Sequence, residues 1–451
     1  MLSIRKPNNS GFQIRILNIT YYILLCISYK NNTDAFGYAG NIYNPNSFKF
    51  IIGIFLIVLS SEAIIKTTLR TKIYLWLFHI LIVIPTSAVY YISDYNSTIA
   101  LSTTLASLLL PFLCYQLRRV RFKTNNTFFS ALNISNIIYI LTFIYAIYFV
   151  LTILERGFSN LNFDLSRIYE FREHNSKDLS TIYQYIESNT TKCILPGITI
   201  LFAAKKNWKA LAILQCTTIL LFGIHNHKIV ALICPVTLIL YQLIISKNFE
   251  RNTLFIFNVG VGLVTVTYEL TDSFEVQAIL DRAIFMYGWL NFKYYEFYSI
   301  NDFVYWSNSK LTLGLIKYPY GELTPYEVIG SYLTDGLLVH SANTGYIGSA
   351  YMNAGVFGIA IETIAFAFII SLIEKQYVSS NYSAITLILP LFPILLFITS
   401  ADISQSILTD GLLLSLMIGA ALRNNKSNRL SHIIEPAIIN LIMRHKPLNH
   451  D

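Results

Sequence analysis

Residues 48–92 read "FKFIIGIFLIVLSSEAIIKTTLRTKIYLWLFHILIVIPTSAVYYI". Two apolar runs, 48–65 and 73–92, flank the basic link "KTTLRTK" at 66–72. A helix needs roughly 17 to 25 apolar residues to cross about 30 Å of hydrocarbon, and each run has that length. Short loops rich in Lys and Arg stay in the cytoplasm. The stretch therefore reads as a helical hairpin through a bilayer, with its turn on the inner side.

The pattern recurs along the chain. Hydrophobic residues fill 54% of 451 positions and charged residues 13%, and the mean hydropathy of +0.52 lies well outside the soluble globular range. Twelve apolar runs fall near 13–29, 48–65, 73–92, 98–117, 136–154, 192–204, 210–224, 229–246, 253–270, 354–374, 383–400 and 404–422. The "AAKKNW" turn shortens the sixth and seventh. With Arg5 and Lys6 inside, "KTTLRTK", "RRVRFK", "KKNWK", "KNFER" and "RNNKSNR" all fall on one side. The short outer loops near Asp94 and Asp402 carry neither Lys nor Arg. Both termini are thus expected in the cytoplasm.

The net charge of +8 is an orientation signal. Its basic residues are scattered over short loops rather than gathered on one face, so no nucleic-acid partner follows. The cysteines Cys26, Cys114, Cys193, Cys216 and Cys234 lie in apolar segments without metal or redox spacing, and no disulfide framework is implied. "CISYKNN" after the first run lacks a small-residue cleavage pattern, so that run reads as a retained anchor.

Two stretches break the rhythm, 155–191 and 271–344, and the charge rule places both outside. Loops of this length usually carry function. The larger opens with "SFEVQAILDRAIFMYGWLNFKYYEFYS", in which Val276, Ile279, Leu280, Ala283, Ile284, Tyr287 and Leu290 recur every three or four residues. That spacing predicts an amphipathic helix. Trp289, Phe292, Tyr294, Tyr295, Phe297 and Tyr298 crowd its later half. Such rings favour the boundary between headgroups and acyl chains, so the helix is expected to lie along the outer membrane surface.

No phosphate-cradling GxxxxGK[ST] and no DxD pair occurs, and "VGVGL" near Gly260 lies inside an apolar run. "HNH" at 225–227 is the one dense cluster of metal-capable side chains. Two histidines two apart make no ligand set, so neither metal nor cofactor is expected.

Four cations border the outer compartment: Arg282 on the amphipathic helix, Arg167 and Arg172 in "SRIYEFRE", and Lys228 closing "HNHK". A guanidinium presents a planar fork of donors that matches phosphate oxygens. The same side chains could equally pair with Glu170, Glu173 and Asp281 or face solvent. Arg167 and Arg172, five apart, would point about 140° from each other on a straight helix. A pocket of arginines and aromatic rings above a bilayer suits a ligand with a lipid tail, an anionic headgroup and a hydroxyl-rich end. A transporter cavity would carry the same residues.

The polar stretch "SANTGYIGSAYMNAGVFG" at 341–358 stands against the tenth apolar run. Gly345, Gly348, Gly355 and Gly358 permit tight turns and close packing. The Asn, Ser and Tyr side chains are tolerable at membrane depth where they face a cavity, unless the small residues merely pack two helices together.

From about Ser166 to Gly358 the chain resembles the Wzy-type O-antigen and oligosaccharide repeat-unit polymerases of bacterial inner membranes. The likeness lies in "RIYEFRE", "LLFGIHNHK", "DRAIFMYGWLNFKYYEFYS" followed by "WSNS", "YEVIGSY" and "NTGYIGSAYMNAGVFG". It departs from the family where Ala354 stands in place of an aromatic residue. The resemblance implies an all-α polytopic membrane protein with a GT-C-like glycosyltransferase architecture. It would be a single membrane domain over 1–451, with periplasmic loops at 155–191 and 271–344 and a basic cytoplasmic tail at 423–451.

It also implies transfer of the growing glycan from undecaprenyl pyrophosphate onto a newly flipped, lipid-linked repeat unit. Membrane lipids and a chain-length regulator protein are the other partners expected. The donor already carries its leaving group, which accounts for the missing nucleotide motif. Arg282, Arg167 and Arg172 would clamp the pyrophosphate, with Lys228 as a fourth contact. Asn343, Tyr346, Tyr351 and Asn353 would line the sugar path, with Tyr294 and Tyr295 nearby. His340, Asp335 and Asp281 are the nominees for a base. The rivals are an O-antigen ligase and a lipid-linked oligosaccharide flippase. The latter would carry charge deep inside many helices, which here are nearly free of it.

Overall fold

The computed structural model describes residues 9–36, 43–119, 134–158, 161–164, 179–246, 248–309, 312, 314–380 and 383–423. All regular structure among them is helical. The chain begins with α1 (Asn9–Phe36), α2 (Ser47–Ile65), α3 (Lys72–Ile92) and α4 (Ser97–Arg119). Next come α5 (Ile134–Arg156), α6 (Thr181–Asn189 continuing through Thr190–Ile194 and Leu195–Ala204), α7 (Trp208–His225) and α8 (Lys228–Ile245). Then follow α9 (Phe249–Thr271), α10 (Phe274–Leu280, Asp281–Phe285 and Met286–Tyr298), α11 (Pro325–Tyr332) and α12 (Tyr346–Ser379). The chain closes with α13 (Ser383–Ile388), α14 (Leu391–Thr399), α15 (Ile403–Leu408) and α16 (Leu412–Arg423).

Nine helices among the described residues are long and apolar enough to cross a membrane: α1 to α5, α7 to α9, and α12. The other three apolar runs of the sequence fall on shorter pieces. These are the Leu195–Ala204 end of α6, then Ala384–Thr399 and Leu412–Leu422. α12 starts at Tyr346, ahead of the apolar run that announces it at 354. The chain is a polytopic helical membrane protein. It divides into two compact units, one of residues 1–121, 246–371 and 394–406, the other of residues 122–245, 372–393 and 407–451.

In the first unit α3 is the central helix. Its apolar stretch is 94% buried against 28% for α9, which fits a helix apolar on every side. α1, α2 and α4 pack around it, and α1 also runs along α9. Lipid tails are as apolar as leucine, so helices in a bilayer associate through close packing and interhelical hydrogen bonds. A buried polar chain supplies these. His79 Nδ1 lies 2.9 Å from Ser60 Oγ, Ser60 lies 2.6 Å from Ser107, and His79 Nε2 lies 3.2 Å from Asn18 Oδ1. Four helices are thereby tied at one level.

α10 forms where the spacing predicts, and most of the rings in its aromatic half are packed into protein. Trp289, Phe292, Tyr294 and Tyr298 are buried. Gly288 is the reason: a Cβ there would stand 3.0 Å from the backbone of Pro85 and Thr86, so the bare glycine brings α10 onto α3.

In the second unit α6 is the hub, touching α5, α8, α13 and α16, while α7 pairs with α8. Its core includes Tyr145, Tyr148, Ile198, Leu221, Ile388 and Leu389. Gly197 brings α6 close to Leu389, whose Cδ2 would be 2.7 Å from an added Cβ.

Candidate functional site

The 341–358 stretch folds as a broken helix. α12 runs from Tyr346, loses helical geometry at Ala354 (φ −159°, ψ 34°) and Gly355 (φ 60°, ψ −141°), then resumes. A helix end leaves carbonyls without partners. Here an extended strap fills them: Val304 N donates to Met352 O at 2.9 Å, and Tyr305 N to Asn353 O at 3.0 Å. Tyr305 and Trp306 both adopt left-handed backbone (φ 51° and 57°). Side chains other than glycine resist that conformation, and such strain concentrates at functional sites.

Asn353 fastens strap to break. Its Oδ1 accepts from Trp306 N at 2.8 Å, and its Nδ2 donates to Ser349 O at 2.9 Å and to Glu362 Oε1 at 3.4 Å. Trp306 Nε1 donates to the same Glu362 oxygen at 3.1 Å. Glu362 is buried in α12, and its Oε2 has no hydrogen-bond partner among the described residues. Asp402 is within electrostatic reach. That carboxylate accepts from Ser404 Oγ at 2.6 Å and from the Tyr326 hydroxyl at 3.3 Å. Burial, then Asp402, pushes the Tyr326 phenol well above its ordinary range.

Beside the strap stands an aromatic wall. Tyr295 meets Tyr351 at 5.1 Å between ring centroids, and Phe303 meets Tyr351 at 6.1 Å. The structure thus brings Tyr295, Tyr351 and Asn353 to one place. Tyr346 is fully enclosed by Phe78, Phe366 and Phe397, with its hydroxyl on Thr363. Tyr294 is equally buried and donates to Ala342 O at 2.8 Å. Both rings are thus core, with their hydroxyls satisfied by protein partners. Asn343 is exposed and accepts from Ser341 Oγ.

α10 carries charge at both ends of its length, with the Lys293–Glu296 ion pair (2.9 Å) in its aromatic half and Asp281 and Arg282 nearer its start. A π-helical turn, Asp281–Phe285, presents exposed Arg282 and half-buried Asp281. Asp281 Oδ1 accepts from Asn32 Nδ2 of α1 at 3.1 Å. Burial raises the Asp281 carboxyl above its ordinary range, with Asn32 and Arg282 opposing. From Arg282 to Tyr295 is 13 residues, about 20 Å along the helix.

Asp335 and His340 are both exposed beyond α11. Asp335 lines an open groove of about 360 Å³, and His340 presents its carbonyl to Gly330, where a Cβ would have no room. Lys228 is exposed at the start of α8 in the second unit. Arg167 and Arg172 lie outside the described residues, as does the tail beyond Arg423.

The second unit holds a charged cluster that the sequence reading passed over. Fully buried His225 has Nδ1 2.6 Å from Glu187 Oε1 and Nε2 3.0 Å from the Tyr148 hydroxyl. Arg156 donates to Glu187 Oε2 at 3.0 Å and to the Tyr183 hydroxyl at 3.2 Å. Burial works against the Glu187 carboxylate, but His225 and Arg156 prevail and hold it at about 2. Both imidazole nitrogens face protein partners, so the "HNH" turn is structural at His225. Lys192 reaches buried Asp410 at 2.6 Å nearby on α6.

One signal could have marked Glu362: a carboxylate in the middle of an apolar run is a functional candidate by default. Arg156 and Glu187 gave no such cue, because each stands at the edge of a span, where charge is ordinary. Compared with protein-family models, with curated proteins and with solved structures, the chain gives no match.

Proposed function

We propose that the chain is a membrane-embedded glycosyltransferase of lipid-linked oligosaccharides. Within that class it is a repeat-unit polymerase acting on the periplasmic face of the bacterial inner membrane. The observation that carries the reading is the layout of α10, with a guanidinium on its π-turn and an aromatic wall about 20 Å further along it. π-turns inside helices recur at functional sites. A single sugar cannot bridge that separation, whereas an oligosaccharide attached to a diphosphate can.

In this reading Arg282 holds the diphosphate of the donor. A hydroxyl at the non-reducing end of the acceptor attacks the anomeric carbon of the donor glycan. The new C–O bond forms as the bond from that carbon to the phosphate oxygen breaks, and undecaprenyl pyrophosphate departs with the electron pair. The hydroxyl proton passes to Asp281, whose carboxyl burial makes more basic. Of the three base nominees, Asp281 alone stands beside the guanidinium. His340 and Asp335 belong to the distal sugar end. Charge developing on the leaving group is met by a cation already in place, which is where such sites gain most of their rate.

The test is deletion of the gene followed by separation of surface polysaccharide by size. Loss of a polymerase leaves lipid A core capped with single repeats. Loss of a ligase or a flippase leaves core without repeats, and that outcome would reject the reading. Purified protein in liposomes with a lipid-linked repeat unit alone should build a ladder, since a polymerase needs no core acceptor.

A further inference from the structure

We infer that the open groove between the end of α10 and α11 is a saccharide subsite, which binds an uncharged sugar ring at the end of the glycan remote from the diphosphate. The inference rests on the reading of the chain as an enzyme of lipid-linked oligosaccharides, and it adds a site to that reading.

The groove, about 360 Å³, is lined by Phe297, Tyr320, Tyr332, Val328, Ser331 and Asp335, among others. Its size lies near the lower end of the roughly 300–1,000 Å³ common for small-ligand sites. Three rings converge there: Phe297 lies 5.8 Å from Tyr320 and 5.3 Å from Tyr332. Their orientations are set from behind. The Tyr320 hydroxyl donates to Asp302 O, and Tyr318 donates to Leu323 O at 2.8 Å. α11 is fixed by a capping box, in which Thr324 and Glu327 exchange hydrogen bonds. Preorganised rings lose little freedom when a ligand stacks on them.

The polar groups are few. Asp335, held at φ 49° before Gly336, and the Ser331 hydroxyl can accept hydrogen bonds from sugar hydroxyls while the rings cover its apolar C–H face. Among the described residues the lining contains no Lys or Arg, which argues against a phosphate occupant. Rings and a carboxylate could also attract a quaternary ammonium group. However, a cation gains substantially from rings only when stripped of water, and this groove is open. Phe297 is 15 residues beyond Arg282, about 22 Å along α10, so the two sites can hold opposite ends of one oligosaccharide.

The test is saturation-transfer NMR on the full-length protein in lipid nanodiscs, because glycoside detergents would compete. The probes are glucose, galactose, rhamnose, N-acetylglucosamine and choline. At least one sugar should receive saturation, falling about fivefold or more in Tyr332→Ala and Asp335→Asn, as expected for losing one good contact. Tyr332→Phe should retain it. Tyr332 is exposed, so these variants should fold normally. Absence of sugar signal, a signal indifferent to these substitutions, or transfer to choline instead would overturn the inference. Groove-dependent sugar binding without a polysaccharide phenotype on gene deletion would reject the polymerase and leave the subsite standing.

Discussion

At the scale of single residues, the proposal depends on Arg282 as a fork of donors and not merely as a positive charge. Arg282→Ala should abolish chain extension, lowering transfer about a hundredfold or more, as loss of one preorganised charge-stabilising group does. Its exposure means the protein should still accumulate in membranes at normal levels. Arg282→Lys should rescue poorly, because an ammonium keeps the charge and loses the bidentate geometry. Polysaccharide ladders, normalised to protein in the membrane fraction, check both. Arg282, Asp335 and Tyr295 could be nominated from sequence because their chemistry is visible there. The partnership of Glu362 with Trp306 and Asn353 could not, since it depends on a strap crossing a helix break. Asn32 was equally hidden: it lies 249 residues from the Asp281 carboxylate that it holds.

At the scale of elements, two glycines fix how α12 begins. Gly355 has φ 60° and ψ −141°, a region that side chains avoid, and an added Cβ would also meet the Phe303 ring at 3.1 Å. Gly355→Ala should therefore cost about 1–3 kcal/mol. Gly345 would place a Cβ 2.2 Å from Ile398 O, a backbone atom that cannot swing aside, so Gly345→Ala should cost a comparable amount. Gly262 in α9 meets nothing within 4 Å, and Gly262→Ala should leave the unfolding temperature unchanged or slightly raised. Thermal midpoints of the three purified variants in nanodiscs give the comparison. The glycines of 341–358 advertised close packing in the sequence, but not the break itself. The run of apolar residues from 354 onward looks like the start of a span, and only the backbone reveals that helix from Tyr346 precedes it. The same limit hid the fate of α10, whose periodicity predicts the helix correctly and says nothing of what Gly288 brings against it.

At the scale of the whole molecule, the sequence makes every apolar run look alike, so the division into two units was not legible: each unit is assembled from three separate segments. The units also differ in what holds their polar interiors together. The first ties four helices through hydrogen bonds among Asn18, Ser60, His79 and Ser107, and its buried Glu362 and Asp402 carboxylates accept hydrogen bonds from Trp306, Asn353, Tyr326 and Ser404. The second relies on ion pairs of Glu187 with Arg156 and of Asp410 with Lys192. Acid should therefore attack the second unit through Glu187, which faces Arg156, His225, Tyr148 and Tyr183. Its carboxyl is held at about 2 in the folded chain against an ordinary 4.5, so the unfolded chain binds the proton first as pH falls. The stability it contributes is complete above pH 4.5, declines below that value and is gone once pH passes below about 2. Glu187→Gln should lower stability by about 3 kcal/mol at neutral pH, because Arg156 is left without its anion. It should also flatten the fall in unfolding temperature between pH 4.5 and 2. Scanning fluorimetry of both proteins across that window measures each effect, and equal slopes would show that the acid response comes from another group.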